Sequence, residues 1–130
     1  MNIHHLGYVV KSIEKAKKEF NKLGFVVEQD TIEDSLRDIY ICFMINGNSR
    51  IELVEPKSKE SVVAALGKKI GNSPYHLCYE VSDIECAVSE LEKMGYMIIH
   101  QQQIAPAIDG KKVAFLFNGN IGLLELVEEK

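Results

Sequence analysis

Two histidines and two glutamates recur at matching places in a duplicated sequence, His5 with Glu52 and His76 with Glu125. Imidazole nitrogens and carboxylate oxygens together suit a divalent cation of intermediate softness such as Co, Ni, Mn, Fe or Zn. A shell of two of each leaves positions open for water or a substrate. A closed structural zinc site would favour thiolates instead. A carboxylate beside such an ion can also take up and return a proton. There is a blander reading of each residue alone. A strand histidine is more often a hydrogen-bonded core or surface group, and an alternating glutamate usually marks a solvated face. What favours the metal is the recurrence of both residue types in both copies.

The duplication itself is plain. Residues 5–25 read HLGYVVKSIEKAKKEFNKLGF and residues 76–96 read HLCYEVSDIECAVSELEKMGY, an offset of 76 − 5 = 71. RIELVE at 50–55 matches LLELVE at 123–128, where the offset is 125 − 52 = 73. Such a repeat governs the expected fold. Each copy opens with a β-favouring run, Ile3 to Val10 and Tyr75 to Val81. A capping residue follows, Ser12 or Asp83, and then apolar residues at helical spacing that end before Gly24 or Gly95. Three more strands are expected per copy, near 25–31, 37–45 and 49–55, then near 96–102, 111–118 and 121–128. The turns Asn46-Gly47-Asn48 and Asn118-Gly119-Asn120 are hairpin signals at equivalent places.

The reading is an α+β chain of two βαβββ modules, residues 1–55 and 75–130, within a single domain of 1–130. The linker, 56–74, has room for a short helix over Ser58 to Lys69. Strand alternation then places side chains on faces. His5, Glu52, His76 and Glu125 oppose the richer apolar rows that should meet helices. On the third strand Ile39, Ile41, Phe43 and Ile45 are expected to face a helix, which puts Asp38, Tyr40, Cys42 and Met44 on the face of the site. His4 and His100 break the pattern and read as structural or surface groups. Lys57, Lys59, Lys68 and Lys69 most simply form a solvated face, with phosphate contacts to an anionic, cofactor-linked substrate as the other reading.

Composition excludes several classes. A net charge of −4, with both signs interspersed, does not point to nucleic acid. No apolar run approaches the roughly 20 residues of a membrane span, and the N-terminus has no secretory pattern. Three scattered cysteines without CxxC spacing, Cys42, Cys78 and Cys86, read as reduced thiols in a cytoplasmic protein.

With these residues in view, the chain resembles the vicinal oxygen chelate superfamily, which includes glyoxalases, bleomycin resistance proteins and dioxygenases. The resemblance rests on HHLGYVV, RIELVEP, PYHLCYEVSDIECAV and GKKVAFLFNGNIGLLELVE. It implies a cupped mixed sheet with helices on its outer face, holding one divalent metal on His5, Glu52, His76 and Glu125. Within the superfamily the chain looks most like methylmalonyl-CoA epimerases, through ELVEP and the GKKVAFL…LLELVE ending. That implies proton transfer at the carbon next to a thioester through a metal-stabilised enolate, with Glu125 as one base. The nearest match for the second base is Asp38, one methylene shorter than the glutamate some epimerases carry. A glyoxalase I-type lyase acting on a thiol hemithioacetal is the alternative, as its His/Glu shell is the same. A non-catalytic binding protein is a third, although such members typically lose the ligands. The resemblance further implies a small-molecule substrate and a homodimer.

Overall fold

The computed structural model describes residues 1–129. These residues form eight strands, three α-helices and one 3-10 turn. The first copy contains β1 (Asn2–Val9), α1 (Ile13–Lys22), β2 (Val26–Asp34), β3 (Ile39–Asn46) and β4 (Ser49–Pro56). The short α2 (Ala64–Ile70) precedes the second copy. That copy contains β5 (Ser73–Val81), α3 (Ile84–Lys93), β6 (Met97–Ala105), β7 (Lys111–Asn118) and β8 (Gly122–Glu128). No helix among the described residues is long and apolar enough to cross a membrane.

Contacts group the chain into two compact units, residues 5–75 and residues 76–130 together with 1–4. The first four residues of the chain therefore belong with the second copy, and the α2 segment belongs with the first. In the first unit the strand order is β2-β3-β4-β1, and in the second it is β6-β7-β8-β5. In each, the copy's first strand runs parallel to its last, and the other pairs are antiparallel.

Both long helices start where the capping residues predict. Ser12 Oγ accepts from Lys15 N at 3.2 Å, and Asp83 Oδ1 accepts from Cys86 N at 3.0 Å. A second tie was not visible as such in the sequence. The last glutamate of each ELVE run reaches back to the helix: Glu55 Oε1 accepts from Ile13 N at 2.8 Å, and Glu128 Oε2 from Ile84 N at 3.0 Å. Each carboxylate thus satisfies a helix-start amide that has no partner inside the helix, and sits at the positive end of its dipole. Gly24 and Gly95 end the helices at φ 98° and 100°, a conformation that costs a side-chain-bearing residue energy.

Each helix seals one face of its own unit. Val10, Ile13, Cys42, Met44, Ile51 and Leu53 form the first core, joined by Leu6, Tyr8, Phe20 and Tyr40. Val81, Ile84, Ala87, Val88, Ala114, Leu116, Leu124 and Leu126 form the second. These memberships correct one expectation. On β3 it is Tyr40, Cys42 and Met44 that face the helix, so Ile39, Ile41 and Phe43 lie on the opposite face. Both rows of β3 are apolar, and period two alone cannot choose between them. The pairing does so, because Phe43 stands opposite Glu52 and cross-strand partners share a face.

Two boundaries also differ from expectation. The helix expected from Ser58 begins only at Ala64. Before it, Ser58 Oγ accepts from Glu60 N and Ser61 Oγ from Val63 N, so serine side chains compete for the amides a helix would use. The two hairpins are also not equivalent. Asn46 pairs with Ser49 across a two-residue turn, whereas Asn118 pairs with Gly122 across three. In the second, the positive φ falls on Gly122 (88°), as in a three-residue turn closed by a glycine bulge. That extra residue supplies one of the two by which the offset grows from 71 to 73; the other enters between β6 and β7, since Phe115 − Phe43 is already 72.

Candidate metal centre

Each unit presents one buried histidine–glutamate pair. In residues 5–75, His5 comes from β1 and Glu52 from the adjacent parallel β4, with Gly7 opposite Glu52 in the register. His5 Nε2 lies 3.4 Å from Glu52 Oε1. In the second unit His76 comes from β5 and Glu125 from β8, where Cys78 stands opposite Glu125. There His76 Nε2 lies 3.0 Å from Glu125 Oε1. All four residues are at most 5% exposed.

An aromatic ring braces each imidazole. Phe43 meets His5 edge-on, with centroids 5.3 Å apart and planes at 75°. Phe115 meets His76 in the same way, at 5.5 Å and 83°. Both phenylalanines stand opposite the glutamate of their own unit, Phe43 opposite Glu52 and Phe115 opposite Glu125. The repeat therefore carries three residues to equivalent places, and the third was missed in the sequence. Its signal was the offset of 115 − 43 = 72, obscured because the apolar rows of β3 were assigned to the wrong faces.

The donor set fits a divalent ion. Nitrogen and oxygen ligands sit about 2.0–2.2 Å from a zinc-like metal, so neighbouring ligands at right angles are about 3 Å apart. The observed N···O separations of 3.4 and 3.0 Å match that spacing. Burying carboxylates this deeply costs several kcal/mol each unless a cation or hydrogen bonds offset it. A divalent ion beside either histidine–glutamate pair would meet that need. A buried His–Glu hydrogen bond is the simpler use of each pair taken singly.

Of the other sequence-selected groups, Asp38 and Lys57 lie away from these pairs, whereas His100 shares the face of Phe115 and Glu125. Asp38 is not on a strand. It ends the turn between β2 and β3 in the left-handed region (φ 58°), which aspartate tolerates better than most residues. Strand alternation therefore does not place it on the ligand face, contrary to expectation. Its carboxylate accepts from Ser58 Oγ, and its carbonyl accepts from Lys57 N at 2.9 Å. The buried Asp34 organises that turn, accepting from Arg37 N at 3.2 Å and pairing with the Arg37 guanidinium. His100 is opposite Phe115 in the β6–β7 register, its ring 6.3 Å from that phenylalanine. Lys57 pairs with Glu33.

Residues 4–115 match the glyoxalase/bleomycin resistance protein/dioxygenase superfamily. The chain belongs to this superfamily. Its structure has the glyoxalase-like fold of the vicinal oxygen chelate proteins, with one mixed-sheet βαβββ module in each unit, as the resemblance implied. The ethylmalonyl-CoA/methylmalonyl-CoA epimerase of Cereibacter sphaeroides is 30% identical, covering 96% of this chain and 97% of its own. Among solved structures, a hypothetical protein of Bacillus halodurans superposes with a TM-score of 0.90 at 28% identity, over 99% of this chain and 94% of its own. A variant of the Streptomyces coelicolor methylmalonyl-CoA epimerase, in complex with 2-nitronate-propionyl-CoA, superposes with a TM-score of 0.87 at 20% identity. It covers 98% of this chain and 94% of the other.

Proposed function

We propose that this superfamily member is a metal-dependent epimerase of the methylmalonyl-CoA epimerase type, acting at the carbon between a carboxylate and a thioester. The observation that carries this is the buried histidine–glutamate pair repeated in each unit, in a chain similar over nearly its full length to an ethylmalonyl-CoA/methylmalonyl-CoA epimerase. In this reading His5, Glu52, His76 and Glu125 together hold one divalent ion. The ion would polarise the thioester carbonyl and so lower the cost of removing the neighbouring proton.

The chain's own residues supply the remainder. Glu125 is the carboxylate assigned to one face of the acidic carbon, where it takes the proton and can return it. Asp38 does not serve the opposite face: bonded to Lys57 N and to the Ser58 hydroxyl, it lies about 16 Å along the strand from Glu52, beyond reach of the same carbon. Phe43 and Phe115 hold the imidazoles in fixed planes and exclude water from beside them, which strengthens every charge interaction there. We take the working protein to be a homodimer, to be checked by sedimentation.

Deuterium wash-in tests the reaction directly. Metal-loaded protein in heavy water should exchange the proton at C2 of methylmalonyl-CoA, as read by proton NMR. Absence of exchange after reconstitution with Co, Ni, Mn and Zn would overturn the assignment.

A further inference from the structure

The strands that carry His5 and Glu52 lead, within residues 5–75, to a second feature. His5, Gly7 and Val9 share a face of β1, and glycine contributes no side chain between the other two. Val9 lies four residues beyond His5, about 13 Å at roughly 3.3 Å per residue, and Pro56 lies equally far beyond Glu52. At that end α2 comes close: a Cβ on Gly67 would stand 3.5 Å from Val9 Cγ2.

A cavity of about 400 Å³ opens here, between α2 and the ends of β1 and β4. Val9, Val10, Ala64 and Ala65 give it apolar walls, while Lys11, Lys59 and Lys68 also line it. No carboxylate is among its lining residues. Among the described residues these three lysines form no ion pair, whereas Lys17, Lys22 and Lys57 do. The adjacent acids, Asp38 and Glu60, are both within hydrogen-bonding reach of the Ser58 hydroxyl. The chain carries a net charge of −4, so three unpaired cations around one apolar cavity run against its overall balance.

We propose that this cavity receives the phosphate-bearing end of a coenzyme A thioester. The lysine ammonium groups meet the phosphates as point charges, and the apolar walls take the nucleoside. The pantetheine arm then runs along β1 past Gly7, placing the acyl group at His5 and Glu52. This rests on the epimerase reading above and adds the residues that select a phosphorylated carrier.

The test compares methylmalonyl-CoA with methylmalonyl-pantetheine, which has the same acyl group and thioester but no phosphate. Wild-type protein should prefer the CoA thioester, and Lys59→Ala/Lys68→Ala should cut that preference about tenfold, through KM. Arginine at both positions should restore it, and Lys93→Ala, on α3, should leave it unchanged. A preference unaltered in the double variant would overturn the proposal. Calorimetric binding of CoA alone separates the two readings. If neither thioester turns over but CoA binds in a lysine- and salt-dependent way, the cavity assignment stands and the epimerase reading fails. If turnover is present while CoA binding ignores the lysines, the cavity assignment alone fails.

Discussion

The Phe43 ring stands edge-on to the His5 imidazole at 5.3 Å, from the position directly opposite Glu52. Phe115 repeats the relationship with His76. A ring so placed fixes the plane of the imidazole and so the direction of its ligating nitrogen. Groups that orient a metal ligand typically matter by about 10–100-fold in affinity. Phe43→Leu and Phe115→Leu should each weaken metal binding by about tenfold or more, read by titration with Co. Affinity unchanged in both would reduce the rings to packing.

Metal content per chain tests the joining of the two pairs. About one divalent ion per chain is expected, lost in His5→Ala and in Glu125→Gln alike. Two ions per chain, each lost in only one variant, would assign the pairs to separate sites. At a free metal concentration of about 100 times Kd, binding should raise stability by about 2.7 kcal/mol, so chelation should lower Tm.

Replacing Asp38 tests a turn and not the chemistry. Asp38→Asn should keep the bound metal and the proton exchange at C2, and should cost about 1 kcal/mol of stability by weakening its bond to the Ser58 hydroxyl. A roughly hundredfold loss of epimerisation with metal and fold retained would return Asp38 to the chemistry.

The helix ties make a stability prediction independent of chemistry. Glu55→Ala and Glu128→Ala should each cost about 0.5–2 kcal/mol, the range for losing a helix-start cap. Leu53→Ala and Leu126→Ala, each removing a fully buried side chain, should cost about 2–5 kcal/mol. Urea midpoints measure both, and caps costing as much as core truncations would show that the ties carry more than a cap.

Thiol reactivity should differ among the cysteines. Cys42 is fully buried and burial pushes its thiol up from the ordinary range, so it should resist alkylation until the chain unfolds. Cys86 is exposed, but the nearby Glu90 carboxylate pushes its thiol up, disfavouring the thiolate. Near neutral pH it should label more slowly than a free thiol, with the rate rising as pH rises. Glu90→Gln should speed that labelling. Insensitivity to this substitution, followed by mass spectrometry, would remove the electrostatic cause.

Much of this was legible in the sequence because it is local or periodic. The offset of 71 exposes the duplication, and Ser12, Asp83, Gly24 and Gly95 mark the helix ends by their own chemistry. Alternation along β1, β4, β5 and β8 sorted residues correctly because one row of each is mostly apolar and the other carries His or Glu. On β3 both rows are apolar, and only the pairing of Phe43 with Glu52 decides which meets the helix. Asp38 escaped because a positive φ at a turn follows no strand period. Nothing in the sequence marked Glu55 and Glu128 as helix caps, because the amides they meet lie 42 and 44 positions away. Residue type and short-range spacing therefore determined the elements and the His/Glu set. Register, turn conformation and long-range hydrogen bonds belong to the folded chain, because each depends on which distant backbone lies alongside.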